Sequence, residues 1–386
     1  MTGVEGELRF RVRWDRRRVL AVEISSTRAV AASRVLEGKT PREAAVLVPM
    51  LFSLCGRAQG VAALRAWEGA LAIGPDHRAT RARDWAAAAE AVQENLWRLL
   101  LDWPQALGEA PATEIFVAWR RRLSDLTGAL MKAEGWNEPG APVTAPEREL
   151  AAAGAELAEF VGARLLGTDV RQWLAMPMMT EWCEQGTTPA ARGLRRLLES
   201  EGLAGRGSVP LMEPASGQDL SKVLERTLRE EGYCAHPDWD GAPRETGALA
   251  RMHRHPAVAA ALGQYGPCVA ARVLARLAET VMLALALADG APARLVDGKT
   301  LAPGIGAAWV ETSRGLLAHV VEVRDGRIAR YRILAPTEWN FHPDGPFAQG
   351  LAGLEADSEP ALYRALRLQA LALDPCVAYE AEVADA

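Results

Sequence analysis

The sequence predicts an α+β fold that is predominantly α, a long-helix bundle with small β-hairpins near the N- and C-terminal parts. Three patterns lead there. Apolar residues recur at helical spacing through most of 40–290; Leu8, Phe10, Val12 and Trp14 alternate with Arg9, Arg11 and Arg13 at the start; and two apolar runs flank Asp325-Gly326 near the end. A chain of 386 residues with 49% hydrophobic content can bury a large core, and no internal repeat divides it, so a single domain over 1–386 is expected.

Residues 1–39 form the first hairpin region, with the charged turn Asp15 to Arg18 between the alternating strand and the apolar run Val19 to Ile24. The arginines of that strand read as a solvated face, because no aromatic residue is interleaved with them. The helical core, 40–290, opens on the capping box Thr40-Pro41-Arg42-Glu43, and its first helix runs towards Pro49, which leaves Cys55 just past a kinked or ended helix. Further helices are expected over about 60–72, 84–103 and 112–134. Another follows over 147–166, behind the capping box Thr144-x-x-Glu147, with 135–146 as the loop before it. A short helix over 219–230 lies among glycines and prolines, and the apolar stretch 256–287 should be broken by Pro267. Residues 291–345 read as a β-hairpin and loops, the hairpin being 316–323 and 327–334 around an Asp-Gly turn of type I′. Gly304-Ile305-Gly306 reads as a loop, since no strand-to-helix context makes it a nucleotide site. The segment 346–386 is a C-terminal helix, about 359–371, and a tail carrying Asp374-Pro375-Cys376.

Composition narrows the function. A net charge of −5 gives no basic field for nucleic acid or an anionic membrane, so neither partner is expected. The most apolar stretch, Thr280 to Ala288, is far short of a membrane span, and the first eighteen residues lack the apolar core of a secretory signal; a cytoplasmic location is expected. The five cysteines, Cys55, Cys183, Cys234, Cys268 and Cys376, contain no CxxC, which argues against a disulfide framework or a zinc ribbon. His253 and His255, at i, i+2 spacing, read as surface chemistry rather than a metal site. Taken alone, Cys55 and Cys376 read as buried apolar thiols.

Five motifs, in order along the chain, change that reading. Val4-Glu5-Gly6-Glu7-Leu8-Arg9 resembles R-I-E-G-H-L-R, Gly38 to Ala44 resembles G-R-D-P-R-D-A, and Glu245 to Arg251 resembles E-T-G-P-L-A-R. Glu311, Arg314, Gly315, Leu317, His319, Asp325, Gly326, Ile328, Tyr331, Pro336, Thr337, Trp339 and Asn340 fit, without a gap, E-A-P-R-G-x-L-x-H, D-G-x-I-x-x-Y and P-[ST]-T-W-N; Asp374-Pro375-Cys376 begins D-P-C-x-x-C-x-x-H. Together they resemble the large subunit of nickel-iron hydrogenases, and they imply its long-helix fold.

In that family two C-x-x-C pairs give nickel four thiolates, two of which bridge to an iron carrying cyanide and carbon monoxide. Here the second cysteine of the closing motif is Tyr379 and its histidine is Glu382. The opening pair keeps only Cys55: aligned through Gln59, Phe52 takes the first position; aligned through Cys55-Gly56, Ala58 takes the second. The first register needs no gap. Two thiolates cannot assemble a four-sulfur nickel site, so no nickel and no hydrogen turnover are expected. The resemblance still implies Cys55 and Cys376 as metal ligands for a transient Fe(CN)2(CO) fragment, with Arg314 and Thr337 binding its cyanides. Ser313 replaces the family's proline, Ser33 its magnesium glutamate, and Glu5 falls on its proton-relay glutamate, whose role here stays open between relay and structural carboxylate. No magnesium and no proteolytic maturation are expected, the chain ending four residues after Glu382. A shortened copy with half the cysteines resembles the HupK/HoxV-type accessory proteins, hydrogenase maturation scaffolds whose implied partners are a HypC-type small chaperone and the hydrogenase large-subunit precursor. Two alternatives accompany that reading: a metal-free mimic of the large subunit that binds a chaperone, and a divergent oxidoreductase using Cys183, Cys234 or Cys268 as replacement ligands.

Overall fold

The computed structural model describes residues 6–28, 30–176, 179–199, 201–213 and 219–385. Strands β1 (Glu7–Trp14) and β2 (Val19–Ser26) pair antiparallel, with Leu8, Phe10, Val12 and Trp14 buried and the intervening arginines exposed, as alternation requires. Helix α1 (Pro41–Leu51) begins at the predicted capping box: Glu43 N donates to Thr40 Oγ1 and Thr40 N to Glu43 Oε2. Helix α2 (Gly56–Ala70) follows one turn later.

Helix α3 (His77–Trp97) starts earlier than its apolar pattern suggested, because Asp76 accepts hydrogen bonds from Arg78 N and Ala79 N and fixes its first turn. A π-helical turn, Arg98–Asp102, carries it into Trp103–Ala106. Pro104 cannot donate to Leu100 O, and Ala112 N does so instead at 2.9 Å. Helices α4 (Thr113–Met131) and α5 (Glu147–Phe160) complete this half of the core. The capping box predicted at Thr144 does not form: Pro146 occupies the cap position, so Thr144 lies outside the first turn. Pro267 separates the helix Pro256–Tyr265 from α6 (Val269–Ala288), the central helix, which is buried along most of its length against α3 and α5.

Beyond Leu295 the chain forms more sheet than the single predicted hairpin. Strands β3 (Val296–Ala302), β4 (Ile305–Thr312), β5 (Gly315–Arg324) and β6 (Arg327–Leu334) make an antiparallel meander in sequence order. Of the expected loop 304–306 only Gly304, at φ 75°, is in the turn; Ile305 and Gly306 already belong to β4. Asp325 and Gly326 both have positive φ, as the expected turn needs. Helix α2 covers one face of this sheet through Ala66, Trp67 and Ala70, and the helix Ser221–Arg229 with Trp339 covers the other. Strands β4 and β5 are therefore buried on both sides and read as continuous apolar runs rather than alternating ones.

Helix α7 (Glu359–Leu373) leads into the tail, and the tail is a strand. Strand β7 (Ala378–Asp385) lies parallel to β1 from Glu7↔Ala378 to Trp14↔Asp385. Arg9 and Arg11 thus stand beside Glu380 and Glu382, so the arginine face is exposed but partnered by the acidic tail. Such exposed pairs contribute little each. Under this sheet Phe10 meets Phe347, Phe341 and Tyr379, with ring centroids 4.2 to 5.7 Å away.

Helix α2 touches the meander backbone to backbone. A Cβ added at Gly306 would lie 2.0 Å from Ala66 O and 2.2 Å from Ala70 N, and one at Gly69 would lie 2.6 Å from Lys299 O. Backbone atoms cannot rotate aside, so Gly306→Ala should destabilise the protein by about 3 kcal/mol, the upper end for overpacking. Gly74→Ala, whose Cβ meets nothing within 4 Å, should be near neutral; urea midpoints of the two variants check this.

Candidate functional site

Cys55 closes a short 3₁₀ turn, Ser53–Cys55, where Phe52 at φ −124° ends α1, and it stands directly before α2. Cys376 arrives from the other end of the chain, two residues after Asp374, whose left-handed conformation (φ 56°) ends α7. Both sulfur-bearing residues line one cavity of about 60 Å³, together with Phe52, Arg28, Glu338 and Cys234. At ~10–15 Å³ for a single water in this measure, it has room for about four to six small occupants.

Each thiol touches one of the other two residues singled out in the sequence. Arg314, in the two-residue turn between β4 and β5, donates from Nη1 to Cys55 Sγ at 3.3 Å. Thr337, in the helical turn Pro336–Asn340, has Oγ1 2.8 Å from Cys376 Sγ and accepts from Cys376 N at 3.1 Å. The structure therefore brings together all four residues singled out in the sequence. Arg314 reaches Cys55 from an adjoining open groove of about 730 Å³, and Leu54 and Val377 border both spaces.

The electrostatics fix Arg314 from behind. Its Nη2 donates to Glu94 Oε2 at 2.9 Å, and its Nε lies 3.3 Å from Asp374 Oδ1. Asp374 also meets Arg98 at 2.7 Å and Arg276 at 3.2 Å. Burial opposes ionisation of Asp374, but the guanidiniums of Arg314, Arg98 and Arg276 overcome it and hold the carboxyl well below the usual carboxylate range. Burial pushes the Cys55 thiol up strongly, against the pull of Arg314, and so favours its protonated form.

The family motifs explain how the Arg314 turn is held. Asn340 accepts from Thr246 N at 3.0 Å and donates to Thr246 O and Arg314 O, while Leu316 N donates to Thr246 Oγ1. Glu245 takes two hydrogen bonds from Arg272, each 2.8 Å. Behind Cys55, Gln59 Oε1 lies 2.8 Å from His319 Nε2, and His319 Nδ1 lies 2.7 Å from the Tyr331 hydroxyl. Burial pushes His319 down to about 3, so it is neutral, donating to Gln59 and accepting from Tyr331.

The positions at which the resemblance implies further ligands carry other side chains here. Phe52 lines the cavity, whereas Ala58 packs in the helical core, in keeping with the gapless register. Tyr379 turns away to pack against Phe10, the two rings tilted by 33° with centroids 5.2 Å apart. Ser33 donates to Tyr331 O and Glu382 is exposed on β7. Glu5 lies outside the described residues. Of the alternative thiols, Cys183 and Cys268 belong to the helical core and only Cys234 lines the cavity. His253 pairs with Glu213 at 3.3 Å, and among the described residues no group of three His, Cys, Asp or Glu side chains is placed to hold a metal. Arg28 at the cavity, and Arg98 and Arg276 behind it, carried no motif and were not anticipated; Glu338, also at the cavity, lies within a motif but at a position that departs from it.

The hydrogenase expression/formation protein HoxV of Cupriavidus necator is 32% identical over 381 residues, covering 94% of this chain and 93% of its own. The chain belongs to the HoxV/HupK family of hydrogenase expression/formation proteins. HupK of Rhizobium leguminosarum bv. viciae matches equally, at 32% over 373 residues, covering 95% of this chain and 93% of its own. Residues 213–379 of this HoxV/HupK-family chain match the nickel-dependent hydrogenase model. Its fold is that of the Ni-Fe-Se hydrogenase from D. vulgaris Hildenborough, with a TM-score of 0.64 at 16% identity and 93% of both chains covered. The Dm. baculatum [NiFeSe]-hydrogenase superposes similarly, with a TM-score of 0.62, 16% identity and the same coverage. No described helix is long and apolar enough to cross a membrane.

Asp374→Asn leaves three guanidiniums around a neutral amide, and should cost about 3–5 kcal/mol, as when one partner of a buried ion pair is removed. The folded carboxyl titrates below its unfolded value, so the stabilisation is complete above about pH 5 and declines as the pH falls through ~4. Urea unfolding of wild type and variant at a series of pH values should show the difference shrinking in that direction.

Proposed function

We propose that this maturation protein holds the Fe(CN)2(CO) fragment between Cys55 and Cys376 while a nickel-iron hydrogenase is being assembled, and then releases it to the large-subunit precursor. One observation supports this above the rest: thiols from opposite ends of the chain line one cavity, and each touches a residue of the type that would bind a cyanide, Arg314 at Cys55 and Thr337 at Cys376. Two thiolates suit a low-spin iron whose remaining positions are filled by strong-field diatomic ligands, and the cyanide nitrogens require buried donors. Phe52 and Tyr379 offer nickel nothing, so the protein carries its cargo without turning over hydrogen. Weaker retention than a four-thiolate site gives is what a donor needs. Delivery to the cavity would come from a HypC-type small chaperone, and the site of action would be the cytoplasm.

Infrared spectra of protein purified anaerobically from its native host should contain cyanide and carbonyl bands that vanish in Cys55→Ser and Cys376→Ser. Arg314→Lys should weaken and shift them. A band-free sample that nevertheless co-purifies with its chaperone would overturn the scaffold in favour of a metal-free mimic of the large subunit; bound nickel or dye-linked hydrogen turnover would favour a divergent oxidoreductase.

A further inference from the structure

On the Cys376 side of the cavity lies a charge pair that no motif explains. Arg28 follows β2, and its Nη1 both donates to Cys376 Sγ at 2.9 Å and lies 3.3 Å from Glu338 Oε1. Glu338 stands where the family pattern P-[ST]-T-W-N has a neutral threonine. Its side chain is only 10% exposed, and its other oxygen, Oε2, has no hydrogen-bond partner. Both residues line the cavity. A buried carboxylate oxygen without a donor is unfavourable. The pairing is therefore suited to a holding arrangement that an incoming anion can replace.

We propose that Arg28 is a third anion-recognising group, directed at the cyanide nearest Cys376, and that Glu338 stands in for that cyanide while the cavity is empty. This rests on the reading of the chain as a cyano-iron scaffold and adds to it a binding residue and a means of release. Iron(II) with two cyanides and two thiolates is a dianion. Arg314 is already engaged by Glu94 and Asp374 and borders the neighbouring groove, and Thr337 is neutral. Among the described residues that line the cavity, Arg28 supplies the one guanidinium. On loading, its contacts to Cys376 Sγ and Glu338 are exchanged for a charge-assisted hydrogen bond to a cyanide nitrogen; on handover, Glu338 takes Arg28 back. No covalent bond is made or broken in that exchange. The carboxylate competes with the cargo and so eases its departure.

Infrared spectra and iron-release rates of anaerobically purified Arg28→Met, Arg28→Lys and Glu338→Gln proteins test this. Loss of a donor to one cyanide should move one of the two cyanide bands to lower frequency in Arg28→Met, with a smaller change in the other, and Arg28→Lys should restore most of the shift. Iron should leave Arg28→Met roughly three- to tenfold faster, and Glu338→Gln roughly three- to tenfold more slowly, than wild type, about the net weight of one hydrogen bond, since one set of contacts is exchanged for another. Cyanide bands in Arg28→Met that superimpose on those of wild type, or faster release from Glu338→Gln, would overturn the proposal while leaving the scaffold standing. A wild-type sample without cyanide bands would remove the scaffold and this proposal together.

Discussion

The carboxylate of Asp374 holds the site together. It gathers Arg98 from the π-turn after α3, Arg276 from the central helix and Arg314 from the turn of the meander. Three parts of the chain that share no sheet or helix thus meet at one anion, two residues before Cys376. The same contact orients Arg314, whose remaining nitrogen faces Cys55. Positioning one thiol and the guanidinium that faces the other is therefore a single electrostatic arrangement.

Around that anchor the hydrogenase scaffold has been retained while its ligands have been thinned. Glu245, Thr246, Arg272 and Asn340 still brace the Arg314 turn, as they must for any chemistry that depends on the guanidinium. Phe52 and Tyr379, by contrast, turn two ligand positions into apolar packing, one in the cavity wall and the other in the aromatic cluster under β1. A phenyl ring in the cavity wall brings no polar group that would need a buried partner, so the fold tolerates Phe52 there.

The sequence made the four central side chains legible because each lies near a residue with a structural duty: Thr337 near Asn340, Arg314 beside Gly315, Cys376 near Asp374, and Cys55 one helical turn before Gln59, which meets His319. Helix α1 was legible through its cap, and the β5–β6 turn through Asp325-Gly326. Other features depend on distant partners and leave little local trace. The start of α3 is set by Asp76 before a polar first turn, and Arg83, in the second turn, is buried because it pairs with Glu68. Strand β7 is an alternation of alanine, valine and acids with weak strand propensity, made a strand by β1. Arg28 and Glu338 occur singly, more than three hundred positions apart, and only tertiary structure relates them.

The parallel pairing of β1 with β7 also sets a timetable. Cys376 and Asp374 precede β7, and that strand finds its partner in β1, far earlier in the chain. A nascent chain therefore displays Cys55 long before Cys376 leaves the ribosome, and the cavity that both residues line can close only after Cys376 has been made. Until then the N-terminal hairpin waits with one edge open, a state in which protection by another protein has a clear physical purpose.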